Sequence, residues 1–341
     1  MPKLCEDIIS ELENDNSRLV KEDIILQAAE DQNLELFEGF SMALDALYTF
    51  GVKKVPKHGG PDGQGLPWVA FKELANLLHT RQLTGHDARD AIELALSAST
   101  QSQWNNWYRR ILIKDLRCGV SEKTVNKVLQ GKFSKIKKVP VFECMLAHDS
   151  ANHEKKIAGI KLLEPKLDGV RVLTVVNIEN KTVSQYSRNG KLLENFTHIT
   201  DKILENIDSF KKSVVLDGEI VSSSFQALMK QVHRKDDVQA NDARLALFDI
   251  LPLNEFQTGI SFFSQRKRSS TLRSYRQVFE KIGNIDIVQQ TEVDLDSYVG
   301  ELQYKQFNKD AIENGFEGIM IKDPDAQYEC KRSTSLSLIH I

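Results

Sequence analysis

Glu164-Pro165-Lys166-Leu167-Asp168-Gly169-Val170-Arg171 is the stretch on which the fold reading turns. A lysine stands between two apolar, strand-like segments, with a proline just before it and an Asp-Gly turn after it. Residues 170–177 and 182–187 are rich in β-branched side chains and lead into Asn189-Gly190, a tight-turn pair. Beyond them the periodicity alternates. Helices are expected over 197–207, 225–232, 264–282 and 296–313, and strands over 214–221, 244–250, 285–290 and 318–321. The stretch therefore sits in a mixed α+β domain, placed at residues 145–335.

Working toward the N-terminus, the pattern changes to helices. Leu34, Phe37, Phe40, Ala43, Leu44 and Leu47 recur every three or four positions and form one apolar stripe. Residues 53–67 are a Gly- and Pro-rich loop, and helical spacing resumes from Phe71. In Cys118-Gly119-Val120-Ser121, Gly119 suits a left-handed helix end and Ser121 the cap of the next helix. Residues 1–135 read as an all-α domain.

The 341 residues hold 45 Lys and Arg against 48 Asp and Glu, a net charge of −3. The sum hides a local excess. Between Trp104 and Lys138 lie Arg109, Arg110, Lys114, Arg117, Lys123, Lys127, Lys132, Lys135, Lys137 and Lys138, opposed only by Asp115 and Glu122. Such a run is a solvated face or a grip on phosphates. No apolar run has the length of a membrane span, and the first residues do not resemble a signal peptide, so a cytoplasmic protein with no membrane partner is expected. Cys5, Cys118, Cys144 and Cys330 are scattered, without zinc-type spacing.

Lysine is a weak nucleophile at neutral pH, because with an ordinary pKa of ~10.4 only about 0.04% is free amine. Cationic neighbours such as Arg171, or a metal ion, raise the reactive fraction. Further polar groups follow at strand ends. Arg188 stands at a hairpin turn, and Asp217-Gly218-Glu219 lies inside an apolar strand. Phe248-Asp249 lies inside another, and Glu317 and Lys322 bracket a third. Carboxylates inside apolar strands are costly unless they meet cations, metal or sugar hydroxyls. Lys166, Arg171, Arg188, Glu219, Phe248, Glu317 and Lys322 thus describe one pocket suited to a nucleotide with metal-bound phosphates. Neither a P-loop nor a dinucleotide-binding glycine motif is present.

The segment Lys166-Leu167-Asp168-Gly169-Val170-Arg171 resembles the K-x-D-G-x-R motif of the covalent nucleotidyltransferases, which comprise DNA ligases, RNA ligases and mRNA capping enzymes. Residues 187–190, 217–219, 248–249 and 317–322 resemble the motifs that follow it, in order. Thr80-Arg81-Gln82-Leu83-Thr84-Gly85 and the segment 114–121 are similar to the DNA-binding domain of ATP-dependent DNA ligases, notably those of T-even phages.

The resemblance implies an all-α DNA-binding domain followed by an α+β adenylation domain with antiparallel sheets. It also implies a monomer that seals nicks in duplex DNA with ATP and Mg²⁺ or Mn²⁺. Lys166 would carry AMP. Glu164, Arg171, Arg188, Glu219, Phe248 and Lys322 would bind the nucleotide, and Glu219 and Glu317 the metal. Arg109, Arg110, Lys114, Arg117, Lys123 and Lys127 would meet DNA. The family continues into a K-x-K motif whose lysines would fall at 338 and 340, where this chain has Leu338 and His340. Residues 336–341 are therefore expected to be an aberrant tail, with no oligonucleotide-binding-fold domain after them and slow adenylylation. An RNA ligase, a capping-type enzyme and a catalytically dead nucleic-acid-binding fragment are the alternatives.

Overall fold

The computed structural model describes residues 3–52, 54–149, 157–222 and 242–340. The chain divides into two compact units, Met1–Phe142 and Glu143–Ile341. The helix expected over 225–232 lies outside the described residues.

The described part of the first unit contains helices and no strand. Helices α1 (Cys5–Asn14), α2 (Arg18–Glu30) and α3 (Leu34–Leu44) precede a loop, and α4 (Trp68–His79) and α5 (Gly85–Ala98) follow it. A helical run through Gln101–Gln103, Trp104–Tyr108 and Arg109–Leu112 leads to α6 (Glu122–Leu129). The apolar stripes meet around Trp104, Trp107 and Tyr108, all fully buried. Phe71 stacks on Tyr108 at 4.1 Å between ring centroids. Gly39 is required there, because a Cβ would fall 2.2 Å from the Trp107 ring. The Ser121 hydroxyl accepts from the Thr124 amide at 3.3 Å, the cap expected from sequence. Gly119 does take a left-handed φ of +62°, but it ends no helix: the preceding helical run already stops at Leu112, and Lys114 at φ +59° turns the chain there, a correction to the helix end expected at Gly119.

The second unit is built on two sheets. The six-stranded sheet has the order β5-β4-β3-β6-β7-β9, formed by Leu192–Leu193, Thr182–Ser187, Val170–Asn177, Val214–Val221, Arg244–Pro252 and Ile285–Ile287. The five-stranded sheet runs β1-β13-β11-β2-β10, formed by Leu146–Asp149, Arg332–His340, Gly318–Lys322, Ile160–Lys166 and Thr291–Asp294. Tyr328–Glu329 (β12) pairs with Ile260–Ser261 (β8). The larger sheet buries Val172, Leu216, Leu245 and Leu247 against α7 (Thr197–Glu205) and against α9 (Gln265–Ser274) and α10 (Arg276–Ile282). The smaller packs Leu163, Val293 and Ile321 against Tyr304 and Phe307 of α11 (Tyr298–Glu313); the short α8 (Leu253–Thr258) lies between α7 and α9.

Several expectations are corrected. The sheets are not wholly antiparallel, because β1 pairs with β13, and β7 with β9, in parallel. Tyr275 divides the single helix expected over 264–282 into α9 and α10. The strand expected to reach residue 290 stops at Ile287. Residues 336–340 continue β13 and pair with β11, Leu336 opposite Lys322 and Ile339 opposite Ile319.

Candidate active site

Strand alternation on β2 separates core from site. Leu163 points into the apolar layer, while Glu164 and Lys166 line a cavity of about 390 Å³ between the two sheets. β3, β6 and β7 supply the other wall with Arg171, Asp217, Glu219, Phe248 and Asp249. Arg188, on the hairpin made by Asn189 and Gly190, reaches the rim, and Lys322 comes from β11. Leu338 on β13 also lines the cavity. Glu317 is not among its lining residues, but its carboxylate pairs with the Lys166 ammonium. Its amide also donates to the Lys166 carbonyl at 3.1 Å. The residues expected to share a pocket are thus brought together.

Glycine and a bulge make this wall. Gly169 lets β3 approach β6, because a Cβ there would meet the Ile220 carbonyl at 2.2 Å. Between β6 and β7 the register passes from Asp217↔Asp249 to Gly218↔Leu247 and skips Phe248. The extra residue is a β-bulge, which re-aims a side chain. It explains why Phe248 and Asp249, adjacent in sequence, both face the cavity. Gly218 marks the spot in the sequence, and here a Cβ would crowd the Ala246 carbonyl at 2.6 Å.

Charge is densely paired around the cavity. Arg171 donates to both oxygens of fully buried Asp217, Nε to Oδ1 at 3.0 Å and Nη2 to Oδ2 at 2.7 Å. The Tyr328 hydroxyl donates to the same Oδ2 at 2.6 Å. Arg171 is therefore anchored to a carboxylate, and its guanidinium also lies 5.4 Å from the centre of the Phe248 ring. Lys322 pairs with Glu164 at 2.8 Å and lies 5.1 Å from that ring centre. Arg268 of α9 holds Asp249 through Nε at 2.8 Å and Nη2 at 3.2 Å. Sequence reasoning missed Arg268, Tyr328 and Gln290 as partners. Arg268 was one cation in a basic helix, and neither Tyr328 nor Gln290 carries a local signal.

Among the described residues, no side chain anchors Glu219 in this way. Burial pushes its carboxyl up to about 7, against the pull of Arg171 and Lys166 and with the push of Asp217 and Glu317. In the pH window from the ordinary value of 4.5 to about 7, the folded protein holds a proton that the unfolded chain has released. The stabilisation linked to this group is full below that window and lost as pH rises through it. In EDTA, stability should fall across the window by about 3–4 kcal/mol at most, a figure set by the size of the shift. Denaturant titrations of Glu219→Gln should show that dependence flattened. An unchanged pH profile would mean that Glu219 ionises normally.

The residues expected to bind DNA divide into two groups. Arg110 is buried, donating to Glu13 at 2.6 Å and to the Leu116 carbonyl at 2.9 Å. Lys114 donates to the carbonyls of Met42 at 2.8 Å and Asp45 at 2.5 Å. Both charges are spent inside the helical unit, a correction to their reading as surface cations. Arg109 is half-buried and donates to the Val55 carbonyl at 3.0 Å. Arg117, Lys123 and Lys127 are exposed. Arg117 pairs with Asp115 at 3.4 Å and Lys127 with Glu22 at 2.6 Å, surface contacts worth little in water.

A family model described as the ATP-dependent DNA ligase domain matches residues 144–338, more than half of the chain. A DNA ligase of Methanococcoides burtonii is 27% identical over 279 residues, which cover 67% of this chain and 47% of that protein. A DNA ligase of Archaeoglobus fulgidus is 31% identical over 192 residues, covering 53% of this chain and 31% of its own. The chain spans about a quarter to a half of the length of such curated relatives. A solved structure named Pmar-Lig_PreS3 is 49% identical with a TM-score of 0.62, covering 99% of this chain and 78% of its own. No helix among the described residues is long and apolar enough to cross a membrane.

Proposed function

The chain belongs to the family of the ATP-dependent DNA ligase domain, and on that footing we propose that it transfers AMP from ATP to Lys166 and then to the 5′-phosphate of a DNA nick. The observation that carries this reading is the convergence on one cavity of Lys166, Glu164, Arg171, Arg188, Glu219, Phe248 and Lys322. The Lys166 amine forms a bond to the α-phosphorus as pyrophosphate leaves. The nick phosphate next takes AMP from the lysine. The neighbouring 3′-hydroxyl then displaces AMP and seals the strand. Catalysis of this kind is positioning and charge neutralisation.

Each residue has work that its surroundings support. Glu317 holds the Lys166 ammonium at rest, so that contact must be exchanged before the amine can lose its proton and attack. Phe248, half-buried and flanked by two cations, offers a face to the base. Arg188, exposed at its hairpin, suits ribose or phosphate oxygens. Glu219 and Glu317 fit a hard divalent cation, which is commonly held by one or two carboxylates together with substrate phosphates. No cluster of three or more metal-ligating side chains exists among the described residues, in keeping with a metal that arrives with the nucleotide. Bound there, Mg²⁺ or Mn²⁺ would neutralise phosphate charge. Incubation with ATP labelled on the α-phosphate tests the reading, because label must become covalently attached to the protein. A chain that stays unlabelled with Mg²⁺ and with Mn²⁺ would count against it.

Position 338 bears on the rate. Leucine lines the cavity where the resemblance calls for a lysine. Leu338→Lys is expected to speed single-turnover adenylylation by about 10-fold or more, since one well-placed donor is commonly worth about 10²–10³. An unchanged rate would mean that other side chains already supply this charge.

The helical unit is proposed to grip duplex phosphates through Arg109, Arg117, Lys123 and Lys127. Replacing Arg117, Lys123 and Lys127 together with alanine should lower the slope of log affinity against log salt by roughly 2–3, since each phosphate contact contributes about 0.9. Arg110→Ala or Lys114→Ala should instead destabilise the unit, through the partners they leave behind. Anisotropy of labelled nicked DNA over a salt series separates the two effects. An unaltered slope in the triple variant would reduce this face to a solvated surface.

A further inference from the structure

The carboxylate of Glu164 is secured from two directions. It is 2% exposed, and a single oxygen, Oε1, accepts both from Lys322 Nζ at 2.8 Å and from Gln290 Nε2 at 2.6 Å. Lys322 lines the central cavity. Gln290 does not; it lines a second cavity of about 430 Å³, which shares Phe248 and Val288 with the first. Strand register explains the contact. β10 pairs with β2 through Thr291↔Leu163, so Gln290, one residue earlier, falls opposite Glu164.

Two donors on Oε1 leave Oε2 as the oxygen available to a ligand in the central cavity, which Glu164 lines. Burial, with the nearby Asp249 carboxylate, pushes the Glu164 carboxyl up from its ordinary value, while the contacts with Lys322 and Gln290 favour the charged form. An ionised carboxylate can only accept. It selects a base that presents an N–H at this edge and repels one that presents a carbonyl oxygen. A 6-aminopurine offers the donor, and a 6-oxopurine offers the acceptor.

We propose that Gln290 is a positioning residue for base selectivity, fixing the Glu164 carboxylate so that its second oxygen reads the 6-amino group of an adenine nucleotide. The inference rests on the reading of the central cavity as a nucleotide site and names what sets its choice of base. Gln290 touches the neighbouring cavity, so it acts through Glu164 and not on the nucleotide. The amide supplies a neutral donor, which orients the carboxylate without adding a second cation beside Lys322.

The test measures equilibrium binding, without turnover. The probes are an ATP analogue with a methylene group between the α- and β-phosphorus atoms, its purine counterpart lacking the 6-amino group, and the guanosine counterpart. Calorimetry on the full chain would compare the wild type with Gln290→Leu and Gln290→Glu. In the wild type the amino group should strengthen binding by about 10–100-fold, the range for a hydrogen bond to a buried charged group. In Gln290→Leu this advantage should shrink to about threefold, all of it through weaker binding of the adenine analogue. Unchanged binding of the deamino analogue shows that the variant is folded. Should leucine disturb the strand end, Gln290→Asn, too short to reach Oε1, replaces it. Gln290→Glu should lose selectivity at neutral pH, where two carboxylates oppose each other, and regain it in acid as one takes a proton and donates.

Equal loss for both purines, or loss for neither, overturns the proposal and leaves Gln290 as a strand-end contact. A wild type that shows no preference for the amino group, or binds none of the probes, overturns it too. A wild type that binds with the expected selectivity yet never forms a covalent adduct refutes the proposed reaction alone.

Discussion

Lys166→Ala should abolish covalent labelling by α-labelled ATP, a loss of at least about 10³-fold, while nucleotide binding persists. The expectation follows from the cavity. Lys166 stands at the end of β2 beside Glu317, whereas Phe248, Arg188 and Glu164 remain to hold the nucleotide. Arginine would keep the charge but not the nucleophile, since its guanidinium stays protonated. Lys166→Arg should therefore be equally unlabelled. Peptide mapping of the wild-type adduct completes the measurement. A modified peptide containing Lys322 or Lys161, and not Lys166, would defeat the assignment.

Asp249→Ala should cost about 3–5 kcal/mol of stability in the second unit, because it leaves a buried guanidinium without its counterion. The side chains of Arg268 and Asp249 are only 1% and 4% exposed. The other hydrogen bonds of Arg268, to Gln265 at 2.8 Å and to the carbonyls of Ala326 at 3.2 Å and Phe263 at 2.5 Å, go to neutral acceptors that cannot replace the carboxylate. Replacing both partners, Asp249→Leu with Arg268→Met, should recover most of the loss. Hydrogen exchange at the β7 amides reads this unit separately from the helical one, which matters because two units need not unfold together. If the single variant costs under about 1 kcal/mol, the pair does not hold β7 to α9.

The deepest part of the site was legible because its signals are local. Strands over 170–177, 182–187 and 214–221 follow from β-branched runs ended by turns, and all three are found with those bounds. The same local chemistry marks Lys166, Glu219, Asp249 and Lys322 as odd residents of apolar strands, and they line one cavity together with Phe248. The Ser121 cap was readable for a similar reason, since a cap depends on neighbours a few residues away.

The main helices and the central strands of the larger sheet, and the set of polar residues that had to share a pocket, were thus open to reading from the residues alone, whereas β10 and the long β13 were not. The partners of those polar residues were not. Asp217 meets Arg171 and Tyr328, Asp249 meets Arg268, and Glu164 meets Gln290 and Lys322, across gaps in sequence that no periodicity spans. Arg110 and Lys114 belong to a basic run, yet they turn inward because Glu13 and two carbonyls of the α3 end lie within reach once the helices pack. The bulge at Phe248 is likewise a property of two paired strands, since a skipped register exists only when β6 lies against β7. Local preference fixes what each segment is. Which charges meet depends on how the segments pack, because burial makes pairing obligatory and only packing supplies the partner.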